Sequence, residues 1–307
     1  MATRVSTTLF PDNSVVANLR AWAQFIEDTL VTTGGWTVAA DTGQTLPSAL
    51  NTPGAANTSA GFRIYKMADT LQSTAPVFLR IDFGSGSAAN TPQIALTVGT
   101  GSNGSGTITP VLLTGVMGGT GSMSSTNSTS QACRCYGSAN TNRATLGMFI
   151  QATSIVYIFT FGIERSKDSS GNDTSDGVML VYGGNSTDGQ SSTQSLCTSR
   201  YLILAGGTQP LAELALQYVL SSNNPSQVFN PGDVGIGPVF HFKGVALQPG
   251  TNYMITNSSD VAAESFINMT LYGQTRTYQQ LNVLIARKSI GLNFVADSQS
   301  RVLMRYD

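Results

Sequence analysis

The chain has 307 residues, 41% of them hydrophobic and only 11% charged, with 16 Lys and Arg against 17 Asp and Glu for a net charge of −1. An average soluble domain carries about a quarter charged residues, so neutral Gly, Ser, Thr and Asn stand here where Lys and Glu normally do. Without a basic field to gather phosphates, nucleic-acid binding driven by counterion release is excluded; the single histidine, His241, excludes multi-histidine metal sites; and the apolar content is too high for a chain dominated by disorder.

The first residues, Met1-Ala2-Thr3-Arg4-Val5-Ser6, lack the apolar core of a signal peptide, so the chain is expected to be made and kept in a cytoplasm. Residues 13–32 predict a helix. Asp12, Asn13 and Ser14 offer capping side chains, Val15, Leu19, Trp22, Ile26 and Leu30 recur at three- and four-residue steps, and Gly34-Gly35 stops the element. A stripe of this kind packs on the chain's own sheet, the ordinary outcome, or on a neighbouring subunit. Leu19, Trp22 and Ile26 are therefore the candidate assembly-interface residues.

After Trp36 the pattern turns extended. Residues 62–67, 77–83 and 94–98 read as strands, with Arg80 and Asp82 alternating with Leu79, Ile81 and Phe83. A Gly-rich stretch, 99–106, separates 94–98 from 108–113 and predicts a hairpin with a wide tip. Residues 146–163 read as one or two buried strands, 164–177 as a polar loop and 178–182 as the next strand. The apolar stretch 148–161 is interrupted by Gln151, Thr153, Ser154 and Thr160 and falls short of a membrane span. A second helix is predicted over 209–220, with Pro210 in its first turn and Asn223-Asn224-Pro225 beyond its end. Short strands follow at 239–242, 253–256, 268–272, 281–286 and 301–305.

The expected fold is thus mainly β: antiparallel, sandwich-like sheets with an N-terminal α-helix and one further short helix. An N-terminal helix plus β docking region (1–120) would precede a β-rich C-terminal region (121–307), the alternative being one continuous domain.

Chemistry-bearing patterns are sparse. His241 sits among Val239, Phe240 and Phe242, where a packed or hydrogen-bonded ring is the ordinary reading and a general base lacks assembled partners. Cys133 and Cys135 share one face of an extended segment, at the wrong spacing for a zinc knuckle or redox pair. With Cys197 they make an odd number that cannot all pair within the chain, although a link from Cys197 to one of the other two, or to a neighbouring subunit, stays open. Gly99-Thr100-Gly101-Ser102-Asn103-Gly104 matches a dinucleotide fingerprint without the helix that should follow it. The oxygens of Asp168, Asn172, Asp173 and Asp176 could surround Ca²⁺, yet Asp, Asn and Gly are also ordinary turn residues and the EF-hand spacing is absent. No catalytic, cofactor-binding or metal residue is assigned, no cofactor is expected, and an enzyme is not the expected class.

Several phrases are more specific: Leu19-Arg20-Ala21-Trp22, Ala40 to Gln44, Ala60 to Tyr65, Asp69 to Val77, Thr97 to Gly101, Ile163 to Asp168 with Gly171 to Thr174, Leu271 to Tyr278, and Met304 to Asp307. Together they resemble a family of tailed-bacteriophage virion structural proteins, over most of the chain except 115–137 and 183–198. The resemblance implies membership of a virion, as a tail, neck, collar or baseplate component assembled in the bacterial host cytoplasm. Implied partners are other virion proteins and copies of itself, with neither nucleic acid nor membrane insertion, and no residue roles are carried over. The alternatives are a host-receptor-binding tail fibre or tip module, with Ser/Thr/Asn loops and tyrosines such as Tyr136, Tyr182 and Tyr278 reading a cell surface, and a tail-associated glycan hydrolase.

Overall fold

The computed structural model describes residues 3–10, 13–86, 89–90, 92–118, 132–151, 156–185, 195–206, 214–215, 236–243, 246–256, 265–285 and 300–307. The chain opens with a strand, β1 (Thr3–Leu9), and a helix, α1 (Val16–Glu27), which continues into a π-helical turn over Asp28–Thr33. The capping prediction needs correction. Val15 takes the N-cap position without a side-chain bond, while the buried Asn13 donates from Nδ2 to the Gly84 carbonyl at 2.7 Å. A cap side chain is thereby used to tie the helix entry to a strand instead of to the helix's own N–H groups.

A first sheet follows as an antiparallel meander: β2 (Thr37–Val38), β3 (Ser59–Lys66), β4 (Phe78–Ser85), β5 (Pro92–Gly99) and β6 (Val111–Gly118). Residues in β4 and β5 alternate between buried and half-buried, as expected of a sheet with one face on a core. The predicted hairpin is β5–β6, its tip pinned by a bridge between Ser102 and Ile108.

The second sheet runs β7 (Cys133–Asn140), β8 (Arg143–Gln151), β9 (Val156–Lys167), β10 (Asp173–Asn185), β11 (Ser195–Ile203) and β12 (Leu214–Ala215), with β1 paired beside β7. The first strand of the chain therefore completes a sheet whose other strands all lie beyond residue 120. The predicted second helix lies outside the described residues except for Leu214 and Ala215, which pair with Ser199 and Thr198 as a short strand. The third sheet comprises β13 (Ile236–Lys243), β14 (Ala246–Thr256), β15 (Phe266–Leu271), β16 (Gln274–Ile285) and β17 (Ser300–Arg305), in the order β13-β14-β17-β16-β15.

The architecture is mainly β and antiparallel, stacked in layers. One large core joins α1 (Leu19, Trp22, Phe25, Ile26), the inner faces of β4 and β5 (Leu79, Ile81, Phe83, Ile94, Leu96, Val98) and one face of the second sheet (Cys135, Leu146, Phe161, Ile163, Leu180). The opposite face of the second sheet meets the third, through contacts of β14 with β8 and β9 and of β13 with β11. The second sheet is thus sandwiched, which explains why β9 and β10 bury consecutive residues instead of alternating.

Leu19, Trp22 and Ile26 are each no more than 3% exposed. Their stripe is consumed by the chain's own core and leaves no face for a partner. The candidate assembly interface is corrected accordingly: a helix lying over two sheets buries its apolar stripe within the molecule.

Candidate functional site

Adjacent residues in a strand point to opposite faces, and β9 uses this with charges. Arg165 points toward the first sheet and Glu164 toward the third. Arg165, buried to zero side-chain exposure, donates from Nε and Nη2 to Asp69 at 2.7 and 2.9 Å and from Nη1 to the Ala75 carbonyl at 2.6 Å. The planar guanidinium fork suits this bidentate geometry, with the carbonyl taking a further donor.

Glu164 accepts from the Thr251 N–H at 2.6 Å, the Asn252 N–H at 2.9 Å and the Thr251 hydroxyl, all on β14. Burial alone would push its carboxyl up. Lys167, the Thr251 donors and Arg305 outweigh that and hold it below the ordinary carboxylate value. Arg143 is fully buried on the same side, its guanidinium shared between the Ser138 hydroxyl and the main-chain oxygen of Asp307. Burial, with Arg305 nearby, lowers its pKa to about 9.

Between these charges, β9 and β14 approach closely. The Tyr253 hydroxyl shares its one hydrogen between the carbonyls of Phe161 at 2.6 Å and Leu146 at 3.0 Å, and its ring lies over Gly162. A Cβ at position 162 would stand 2.4 Å from that ring, so Gly162→Ala is expected to cost about 1–3 kcal/mol by overpacking. A urea midpoint unchanged from the parent chain would contradict that placement of the ring.

His241 is buried in this layer, with Nδ1 3.0 Å from the Arg200 carbonyl oxygen. A carbonyl only accepts, so Nδ1 carries the proton and Nε2 is bare. Gly250 separates the ring from Glu164: a Cβ there would meet His241 Nε2 at 2.8 Å and Glu164 Oε1 at 3.2 Å. Burial lowers the His241 pKa from 6.5 to about 4, despite the attraction of Glu164. The unfolded chain consequently binds a proton that the folded one refuses. Stability from the neutral ring is complete above pH 6.5 and lost as pH falls toward 4, by about 3 kcal/mol at about 1.4 kcal/mol per pH unit. Denaturation curves at neutral pH and near pH 4 are expected to show that loss, and His241→Phe is expected to reduce it; equal pH dependence in both chains would contradict the assignment.

The other sequence candidates fall elsewhere. Asp168 accepts from the N–H groups of Ser170 (2.8 Å) and Asn172 (2.9 Å) and from the Asn172 amide (3.0 Å), while Asp173 pairs with Lys167 and Asn142. The Asp168 oxygens thus close the β9–β10 turn on the loop's own donors, and Asp173 ties it to β9 and to the β7–β8 turn. Among the described residues, no three His, Cys, Asp or Glu gather as a metal-binding group. Cys133 and Cys135 are buried free thiols on the core face; the Cys197 side chain lies outside the described residues. Tyr278 is corrected from an exposed reader of surfaces to a fully buried residue donating to the Thr251 carbonyl at 2.7 Å, and Tyr182 packs partly buried on the core.

The site defines a class of protein: stacked antiparallel sheets whose buried charges join one layer to the next. No family model matches the chain, and no curated protein matches its sequence. Among the described residues, no helix is long and apolar enough to cross a membrane.

Proposed function

We propose that this chain is a structural subunit of a tailed-bacteriophage virion, a tail, neck, collar or baseplate component that acts by assembling with copies of itself and with other virion proteins. The observation that carries the reading is the placement of charge. Glu164, Arg165, Arg143 and His241 are all buried, with partners on neighbouring strands and layers. Ionisable groups used in this way rigidify a framework. A rigid, weakly charged body whose surface is dressed in hydroxyls and amides suits repeated packing against identical neighbours, since burying a neutral hydroxyl costs less than burying an ion. The sequence phrases that resemble those of tailed-phage virion proteins are in keeping with the same reading.

Sedimentation of the purified full chain, with adsorption and glycan-cleavage assays beside it, tests the proposal. A discrete homo-oligomer that neither competes with phage adsorption nor releases sugar from host polysaccharide is expected. Competition would favour the receptor-binding reading. Sugar release abolished by Glu164→Gln would overturn the structural one.

A further inference from the structure

We propose that Arg143, Arg276 and Arg305 form a binding site for a small oxyanion of the phosphate class, which enters in exchange for the Asp307 carboxylate. In β16, Arg276 and Tyr278 share one face, and Tyr278 stands opposite Arg305 of β17 in the strand register. Arg305 donates from Nε to Asp307 Oδ1 at 2.7 Å and from Nη1 to the Thr251 hydroxyl at 3.1 Å. Arg143 reaches the main-chain oxygen of the same Asp307, whose second carboxylate oxygen accepts from the Thr277 N–H at 3.2 Å. Asp307 is thus the resident anion of a guanidinium cluster.

Two carboxylates face these three cations, and they differ. Glu164 already has three donors from β14 and is buried. Asp307 has a side chain 37% exposed, so solvent reaches its end of the cluster. The cluster also holds spare donors: Nε of Arg143 and Nε of Arg276 are buried and donate to no group among the described residues. Arg276 spends its other nitrogens on the Leu271 and Gln274 carbonyls and the Gln274 amide oxygen. A buried charged donor without an acceptor is costly, and a tetrahedral oxyanion brings more acceptors than one carboxylate. Burial first, and then Arg305, holds Arg143 and Arg276 below their ordinary values, against the pull of Glu164 and Asp307.

The test is isothermal titration of inorganic phosphate into the full chain, with ionic strength held constant by chloride. Saturable binding is expected in the parent. Asp307→Asn removes the competing carboxylate and is expected to tighten binding severalfold. Arg276→Gln is expected to weaken it at least about tenfold, the scale of one charge-assisted hydrogen bond. No saturable heat in the parent, or binding that Asp307→Asn leaves unchanged or weakens, overturns the proposal. So does undiminished binding by a folded Arg276→Gln chain. Should Arg276→Gln fail to fold by circular dichroism, Asp307→Asn, altered at a partly exposed side chain, decides alone.

Discussion

Glu164→Ala is expected to lower the unfolding free energy by about 3–5 kcal/mol, the range for breaking a buried charge network from one side. Three donors on β14, the N–H groups of Thr251 and Asn252 and the Thr251 hydroxyl, lose their acceptor together. The buried Arg143 loses a nearby opposite charge as well. The effect is expected to concentrate between the second and third sheets. Hydrogen exchange should speed up in β14 and β17 before it does in β4 and β5, because the large apolar core lies on the far face of β9. Equilibrium denaturation by urea checks the magnitude, and a loss below about 1 kcal/mol would mean that the carboxylate contributes no more than an ordinary hydrogen-bonded residue.

The second large effect is expected on the other face of the same strand. Asp69→Ala strands Arg165 in the core with one carbonyl partner, Ala75, and is expected to cost a further sum of about 3–5 kcal/mol in its own right. Removing both charges has a different outcome. In Asp69→Leu with Arg165→Met, no uncompensated charge remains and the site is filled with apolar volume, so the double variant is expected to recover most of the stability. If it is as unstable as Asp69→Ala, the ion pair's geometry, and not the stranded charge, is what the fold depends on. Thermal or urea unfolding of the three chains separates the two cases.

These two residues also mark how far the sequence could be read. Strand alternation in 77–83 and 94–98 was plain because β4 and β5 have one face on the core and one turned away from it. The helix was plain for the same reason: Leu19, Trp22 and Ile26 repeat at helical spacing. Its place inside the chain's own core was not, because an apolar stripe looks alike whether a sheet or a second subunit covers it.

Glu164 and Arg165 read as the start of a polar loop, yet β9 runs on to Lys167 and buries both. A strand covered on two faces loses the two-residue period, and charges within it resemble a solvated turn unless their partners are known. Those partners lie 96 residues upstream at Asp69 and 87 and 88 residues downstream at Thr251 and Asn252. No local pattern contains that information. The one available signal is an acidic and a basic residue directly following a run, 155–163, that is apolar apart from Thr160 and Gly162. Tyr278 differs from its sequence expectation for the same reason, since a tyrosine in a Thr- and Gln-rich strand looks exposed until β14, beyond the adjacent β17 in the sheet, supplies the Thr251 carbonyl for its hydroxyl.

β1 illustrates a different limit. Thr3–Leu9 has too few apolar residues to announce a strand, and it is ordered by a ladder with β7, more than a hundred residues away. Nonlocal pairing of this kind outweighs local propensity.

The proposed role is that of a subunit built into a particle. Cryo-electron microscopy of infectious particles purified from a phage whose genome encodes the chain is the decisive test. Density for the stacked-sheet fold is expected in symmetry-related copies at the tail, neck or baseplate, with the outer strands and hydroxyl-rich loops at the contacts. Infectious particles that contain no copy of the chain would contradict it.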